Sequence, residues 1–159
     1  MQNTLFDKKI KHNMVHQIYY DWGVGIIPLF QKSIDSFKNM KGYKYKLWEK
    51  KDCEKLLIKY PEFKKLYFSC KYEIMKIDII RFIILYEFGG LYADLDVVPI
   101  IEKIPDYEFA VSKNDNELNV EVLLSIKRND ILLEYLRHIK KEILEKDKIN
   151  IYKTWKIRY

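Results

Sequence analysis

The sequence predicts an α/β fold in which a mainly parallel central sheet is flanked by helices. Three observations point to it. Strand-like and helix-like segments alternate over most of the chain, the pattern that builds parallel sheets with helical crossovers. The longest helical segment, Cys70–Phe88, is apolar on almost every side and stops at a double glycine, Gly89-Gly90, as expected of a helix buried inside such a sandwich. Directly after it a short strand runs into Asp94-Leu95-Asp96, so carboxylates fall at the carboxyl end of a strand, where open α/β sheets bind their ligands.

Taken in order, Met14–Tyr20 is rich in β-formers and runs into Asp21-Trp22-Gly23, a first strand expected to be central. Pro28 suits a first helical position, and Leu29, Phe30, Ile34 and Phe37 recur at helical spacing up to Asn39. Tyr43, Tyr45 and Leu47 alternate with Lys44, Lys46 and Trp48 as a second strand. Asp52 then suits the cap of a helix reaching about Tyr60, with Pro61 closing it, and a short helical piece around Phe63–Phe68 leads into the long helix. Beyond the glycines, Leu91–Leu95 reads as a strand, and Pro99 and Pro105 bound a loop. Glu108–Ser112 and Val120–Ile126 read as strands around a polar K-N-D-N-E-L-N turn, and Asp130–Lys146 as an amphipathic helix.

A length of 159 residues is one domain's worth, spanning 1–159, with no internal repeat or low-complexity segment. Hydrophobic residues make up 48% and glycine plus proline only nine residues, which excludes disordered and fibrous classes. The net charge of +6 suits a polyanionic ligand but is spread along the chain, so it selects no nucleic-acid partner. Cys53 and Cys70 lack the spacing of a zinc site and read as two free, buried thiols, which fits a reducing compartment. The first residues carry no secretory signal, and charge breaks every apolar run before it could span a bilayer. The expected location is therefore cytoplasmic; for work at a membrane, another chain or a lipid-surface contact would have to bring the protein there.

Between Ile77 and Tyr86 the only charged side chains are Asp78 and Arg81, which share a helix face at i,i+3. They read either as an internal ion pair or as a functional pair in which Arg81 orients Asp78, or meets phosphate, while Asp78 accepts hydrogen bonds from sugar hydroxyls. Asp94 and Asp96, two positions apart in an extended segment, would lie on the same side of the backbone and could share one hard cation that also holds a diphosphate. Turn-capping carboxylates are the plainer reading of such a pair. Mg²⁺ or Mn²⁺ suits the functional one, because these ions keep waters and substrate phosphates and need few protein ligands. His16 on an apolar strand reads as a hydrogen-bonded core residue. Gln17 is either a strand-edge residue or a group that reaches a donor.

The run D-I-I-R-F-I-I-L-Y-E-F-G-G-L-Y-A-D-L-D-V-V-P from Asp78 resembles the D-x-x-R-x-x-x-L-x-x-x-G-G-x-Y-x-D-x-D block of the family 32 glycosyltransferases, the DXD sugar-binding group, which is similar in its core to the glucosylating domains of large bacterial toxins. V-H-Q-I-Y at 15–19 and K-L-W-E at 46–49 resemble two further strands of that family. The resemblance implies a GT-A-like single domain with a Rossmann-like nucleotide-sugar-binding half. It also implies a metal-dependent retaining transferase that moves a hexose from a UDP- or GDP-linked donor to a hydroxyl of a glycan or protein. Carried over by residue, Asp96 would bind Mn²⁺ or Mg²⁺ directly, and Asp94 would touch ribose and the metal shell. Asp78 and Arg81 would hold sugar hydroxyls, Tyr92 would lie against the nucleotide, and Ile18 and Tyr19 would sandwich the base. Gln17 would join the donor side. Asn119 and Trp155, the latter in Thr154-Trp155, would belong to the acceptor side, which is short in this chain and suggests a minimal enzyme.

Two rivals use the same residues differently. The hydrophobic-D-x-D-V-V stretch also resembles motif one of haloacid-dehalogenase-type phosphatases, with Asp94 as nucleophile, but no later aspartate pair follows Asp96 as that chemistry would need. A non-catalytic basic binding module accounts for the charge and thirteen tyrosines but leaves Asp78 and Arg81 without a role.

Overall fold

The computed structural model describes residues 11–114 and 117–145. Its elements are β1 (Met14–Tyr19), α1 (Pro28–Lys38), β2 (Lys44–Glu49), α2 (Lys50–Leu57), α3 (Lys64–Ser69), α4 (Glu73–Phe88), β3 (Gly90–Ala93), β4 (Phe109–Asn114), β5 (Glu117–Ser125) and α5 (Asp130–Glu145), with one 3₁₀ turn at Pro61–Phe63. The sheet runs β2-β1-β3-β5-β4. β1 pairs in parallel with β2 and β3, whereas β5 runs antiparallel to both β3 and β4. Only β5 therefore opposes the common direction, and the expected mainly parallel sheet closes with an antiparallel β4–β5 hairpin. The first strand is flanked on both sides as expected, but the middle position belongs to β3.

Side-chain alternation sorts the strands onto two covered faces. Ile18, Tyr20, Trp48, Tyr92 and Leu123 pack into one core with residues of α2, α3, α4 and α5, including Leu56, Leu66, Ile80 and Leu136. Val15, Leu91, Ala93 and Leu124 pack on the other face with Phe37, near the end of α1, and Met40 just beyond it. Because both faces are covered, all four residues of β3 are buried. α4 is buried around most of its circumference, from Ile77 through Ile79, Ile80, Phe82, Ile83, Ile84 and Leu85, which is why its sequence shows no polar stripe. Among the described residues no helix is long and apolar enough to cross a membrane.

Three local details differ from the sequence reading. Asp52 is the third residue of α2 and caps reciprocally with Glu49, which holds the N-cap position itself. α4 begins at Glu73, because Cys70 is extended and its N–H closes α3 on the Tyr67 carbonyl at 3.3 Å. Strand β3 stops at Ala93, so Asp94-Leu95-Asp96 lies outside it.

The helix-to-strand switch between α4 and β3 depends on both glycines. Gly89 has φ +65°, and a Cβ there would stand 2.7 Å from the Lys127 nitrogen; Gly90 has φ +103°, and its Cβ would stand 2.3 Å from the Met14 carbonyl oxygen. No L side chain fits at Gly90 unless β1 moves. The pair thus fixes how α4 and β3 present their polar residues to the same end of the sheet.

Candidate functional site

At the carboxyl end of β3, one buried cation organises three elements. Arg81, on α4, is 1% exposed. Its guanidinium pairs with Asp78 one turn earlier, meets Asp94 at 3.4 Å beyond the end of β3, and donates to the Val120 carbonyl of β5 at 2.7 Å. The planar fork suits several acceptors held at fixed angles. It also stacks 4.8 Å from the ring of Tyr92, whose hydroxyl donates to Asp94 at 2.5 Å. Burial alone would lower Arg81; Tyr92, Asp94 and Asp78 outweigh it and hold the guanidinium above its ordinary value.

Both carboxylates keep an open side. The Asp78 and Asp94 side chains are 20% and 25% exposed, so each has oxygen surface left for a ligand. Burial pushes both carboxyls above the usual range, against the pull of Arg81 on each. Among the described residues no hydrogen bond or ion pair engages the exposed Asp96, whose charge repels that of Asp94.

Asp94 and Asp96 are not presented by extended backbone. Val97 N–H closes on the Asp94 carbonyl at 3.1 Å, so the four residues Asp94–Val97 form a β-turn with Leu95 buried beneath it. The same-side argument for an alternating strand therefore fails here, although the turn still leaves Asp94 inward and Asp96 outward. The Asp94 N–H is tied to the Glu121 carbonyl at 2.8 Å.

The remaining predicted residues divide sharply. Tyr19, at the end of β1, is partly exposed and donates to Asp21 at 3.3 Å, leaving its ring available for stacking. Ile18 is 3% exposed and its side chain belongs to the core. Tyr92, at 1% exposed, lies against the Arg81 guanidinium and donates to Asp94. Gln17 is wholly buried; its amide donates to Ser33 and to the Asp94 carbonyl, and accepts from Tyr45. The physical reason is shared: β1 and β3 carry helices on both faces. Asn119 stands on β5 just before Val120, and its side chain accepts the Glu121 N–H at 2.9 Å. Trp155 lies outside the described residues.

His16 is a satisfied core residue, as its apolar strand implied. Its Nδ1 accepts from Trp48 and its Nε2 faces the Gly89 carbonyl. Ser33 and Tyr45 were not singled out from sequence. The available signal was a serine beside Ile34 on the apolar stripe of α1, where a small polar group needs a buried partner. Val120 contributes only a backbone oxygen, which no residue pattern announces.

The donor set decides what kind of ion could sit here. Among the described residues no group of three or more His, Cys, Asp or Glu is placed to hold a metal. A caged metal does not fit. A Mg²⁺ or Mn²⁺ that keeps most of its shell as water and phosphate oxygens does fit the single free carboxylate of Asp96 beside Asp94.

Comparison with known proteins agrees with this corner. Residues 28–103 match the family described as glycosyltransferase sugar-binding region containing DXD motif. Over 56 residues the chain is 41% identical to inositol phosphoceramide mannosyltransferase 3 of Schizosaccharomyces pombe (strain 972 / ATCC 24843), a stretch covering 35% of this chain and 16% of that protein. The fold is similar to that of PaToxG glycosyltransferase, with a TM-score of 0.57 and 19% identity over 90% of this chain and 65% of that one. The chain thus spans less than two thirds of either relative.

Proposed function

We propose that this chain, a glycosyltransferase family member through its DXD-containing sugar-binding region, moves a hexose from a UDP- or GDP-linked donor to an acceptor hydroxyl with retention of anomeric configuration. The observation that carries the reading is the buried Arg81 joining Asp78 to Asp94 beside Asp96, which has no side-chain partner among the described residues. Charge develops on the leaving diphosphate as the sugar becomes oxocarbenium-like. Asp96, beside Asp94, would hold Mn²⁺ or Mg²⁺, which would supply a Lewis acid to offset this charge without a proton.

The chain's own groups do the positioning. Arg81 pulls against the burial that raises the Asp78 and Asp94 carboxyls, and the part of each side chain left open is where hydrogen bonds from sugar or ribose hydroxyls would be accepted. Tyr19 offers a ring for the base at the mouth of β1. Asn119 and Trp155 remain candidates for the acceptor side of a single domain covering 1–159. The acceptor is a glycan or protein hydroxyl, and the name of the S. pombe relative adds inositol phosphoceramide to those worth assaying. A phosphatase would need Asp94 free to attack phosphorus, but both its oxygens face Arg81 and one also takes the Tyr92 hydroxyl.

The test is release of UDP or GDP from a panel of nucleotide sugars, GDP-mannose included, with and without Mn²⁺. Metal-dependent hydrolysis that vanishes in Asp96→Ala supports the reading. Equal release in that variant, or in metal-free buffer, overturns it.

A further inference from the structure

The turn that carries Asp96 is clamped at both ends by a closed ring of hydrogen bonds rooted in β1. Gln17 Nε2 donates to the Asp94 carbonyl at 3.1 Å and to Ser33 Oγ at 2.8 Å, and Ser33 Oγ donates to the Val97 carbonyl. Val97 N–H returns to the Asp94 carbonyl at 3.1 Å, which completes the circuit.

Proton accounting fixes the orientation of every member. Ser33 spends its one proton on Val97, so toward Gln17 it can only accept. The Asp94 carbonyl can only accept as well, and both amide hydrogens of Gln17 are therefore committed. The amide oxygen is left facing Tyr45, whose hydroxyl donates to it at 2.9 Å. Gln17 and Ser33 are both 0% exposed, so water cannot replace these bonds.

We propose that Gln17 and Ser33 are positioning residues that set the strength of divalent-metal and diphosphate binding by holding the Asp94–Val97 turn; this rests on the reading of Asp96 as the metal-binding carboxylate. Buried Leu95 and the Asp94 N–H bond to the Glu121 carbonyl anchor the same turn, but neither reaches its Val97 end. The Asp96 side chain has no partner among the described residues, so its placement is inherited from the backbone on either side. A carboxylate on a loose turn would have to be ordered at the moment of binding, and the ring removes that cost in advance. Tyr45 acts one step further back, by keeping the Gln17 amide from turning over.

Titrations of the full chain with UDP or GDP, in Mn²⁺ and in EDTA, test this for Ser33→Ala, Gln17→Met and Tyr45→Phe. Ser33→Ala opens the ring at the Val97 end with the least disturbance and stands in where Gln17→Met fails to fold. The first two variants are expected to weaken the manganese-dependent Kd about tenfold, the scale of lost support behind a metal ligand. Tyr45→Phe is expected to cost about threefold, because its bond lies outside the ring. The metal-free Kd and the number of sites per chain should not change. A merely structural role would lower the melting temperature and the number of sites at unchanged Kd, and that result overturns the proposal, as does an equal loss of metal-free affinity. Wild-type protein that takes up neither nucleotide with manganese overturns the functional reading and the proposal together. Tight wild-type binding with unchanged variants overturns the proposal alone.

Discussion

Trp48 donates its indole N–H to Nδ1 of His16 at 3.1 Å, which commits the other ring nitrogen to donate to the Gly89 carbonyl at 2.9 Å. One neutral tautomer satisfies both contacts, and it ties β2 and β1 to the end of α4.

That arrangement predicts acid sensitivity. Burial brings His16 down from 6.5 to about 4. The unfolded chain takes up the proton first, so this residue's contribution is fully present above about 6.5 and is lost as the pH falls toward about 4. The loss is on the order of 3 kcal/mol. Urea midpoints measured across that window should fall more steeply for wild type than for His16→Gln, whose amide can serve both partners without charging. Parallel curves would contradict the assignment.

Gly90→Ala should be among the most damaging single substitutions. Its methyl would stand 2.3 Å from the Met14 carbonyl at φ +103°, and neither the β1 backbone nor this dihedral can give way cheaply. A loss of about 3 kcal/mol, read from equilibrium denaturation, is the expected scale. A variant as stable as wild type would mean that β1 and β3 can separate at this point.

Arg81 is expected to separate charge from geometry. Arg81→Met strands two half-buried carboxylates and should cost about 3–5 kcal/mol by denaturant titration. Arg81→Lys keeps the charge but cannot reach Asp78, Asp94 and the Val120 carbonyl from one plane. It should fold, yet lower kcat/KM for metal-dependent donor hydrolysis by about tenfold or more. Full activity in the lysine variant would show that only the charge matters.

The two thiols should be silent in the native protein. Burial pushes Cys53 up to about 12 and Cys70 up to about 11, and both are buried and unpaired. A chromogenic disulfide reagent at neutral pH should therefore label neither until guanidinium unfolds the chain. Rapid labelling of folded protein would show that one of them is reached by local opening.

The elements were readable because their signals are local. Pro28 opens α1, the glycine pair ends α4, and alternation marks β2. Asp78, Arg81, Asp94 and Asp96 came out of the sequence together because charges isolated in apolar stretches stand out. Ile18, Gln17 and Tyr92 are more enclosed than the sequence reading expects for one reason: a motif gives spacing but does not say that helices cover both faces of β1 and β3. The alternation D-L-D imitates a strand, and only the Val97-to-Asp94 hydrogen bond shows a turn. Ser33 and Tyr45 escaped notice because their partners are distant in sequence, on β1 and beyond β3.

Arg81 takes its third acceptor from the main-chain oxygen of Val120. Any amino acid at position 120 supplies that atom, so selection can rewrite the reversed strand at this point without retuning the acidic corner. Evolution can diversify what the neighbouring surface recognises while the chemistry next to it is inherited unchanged.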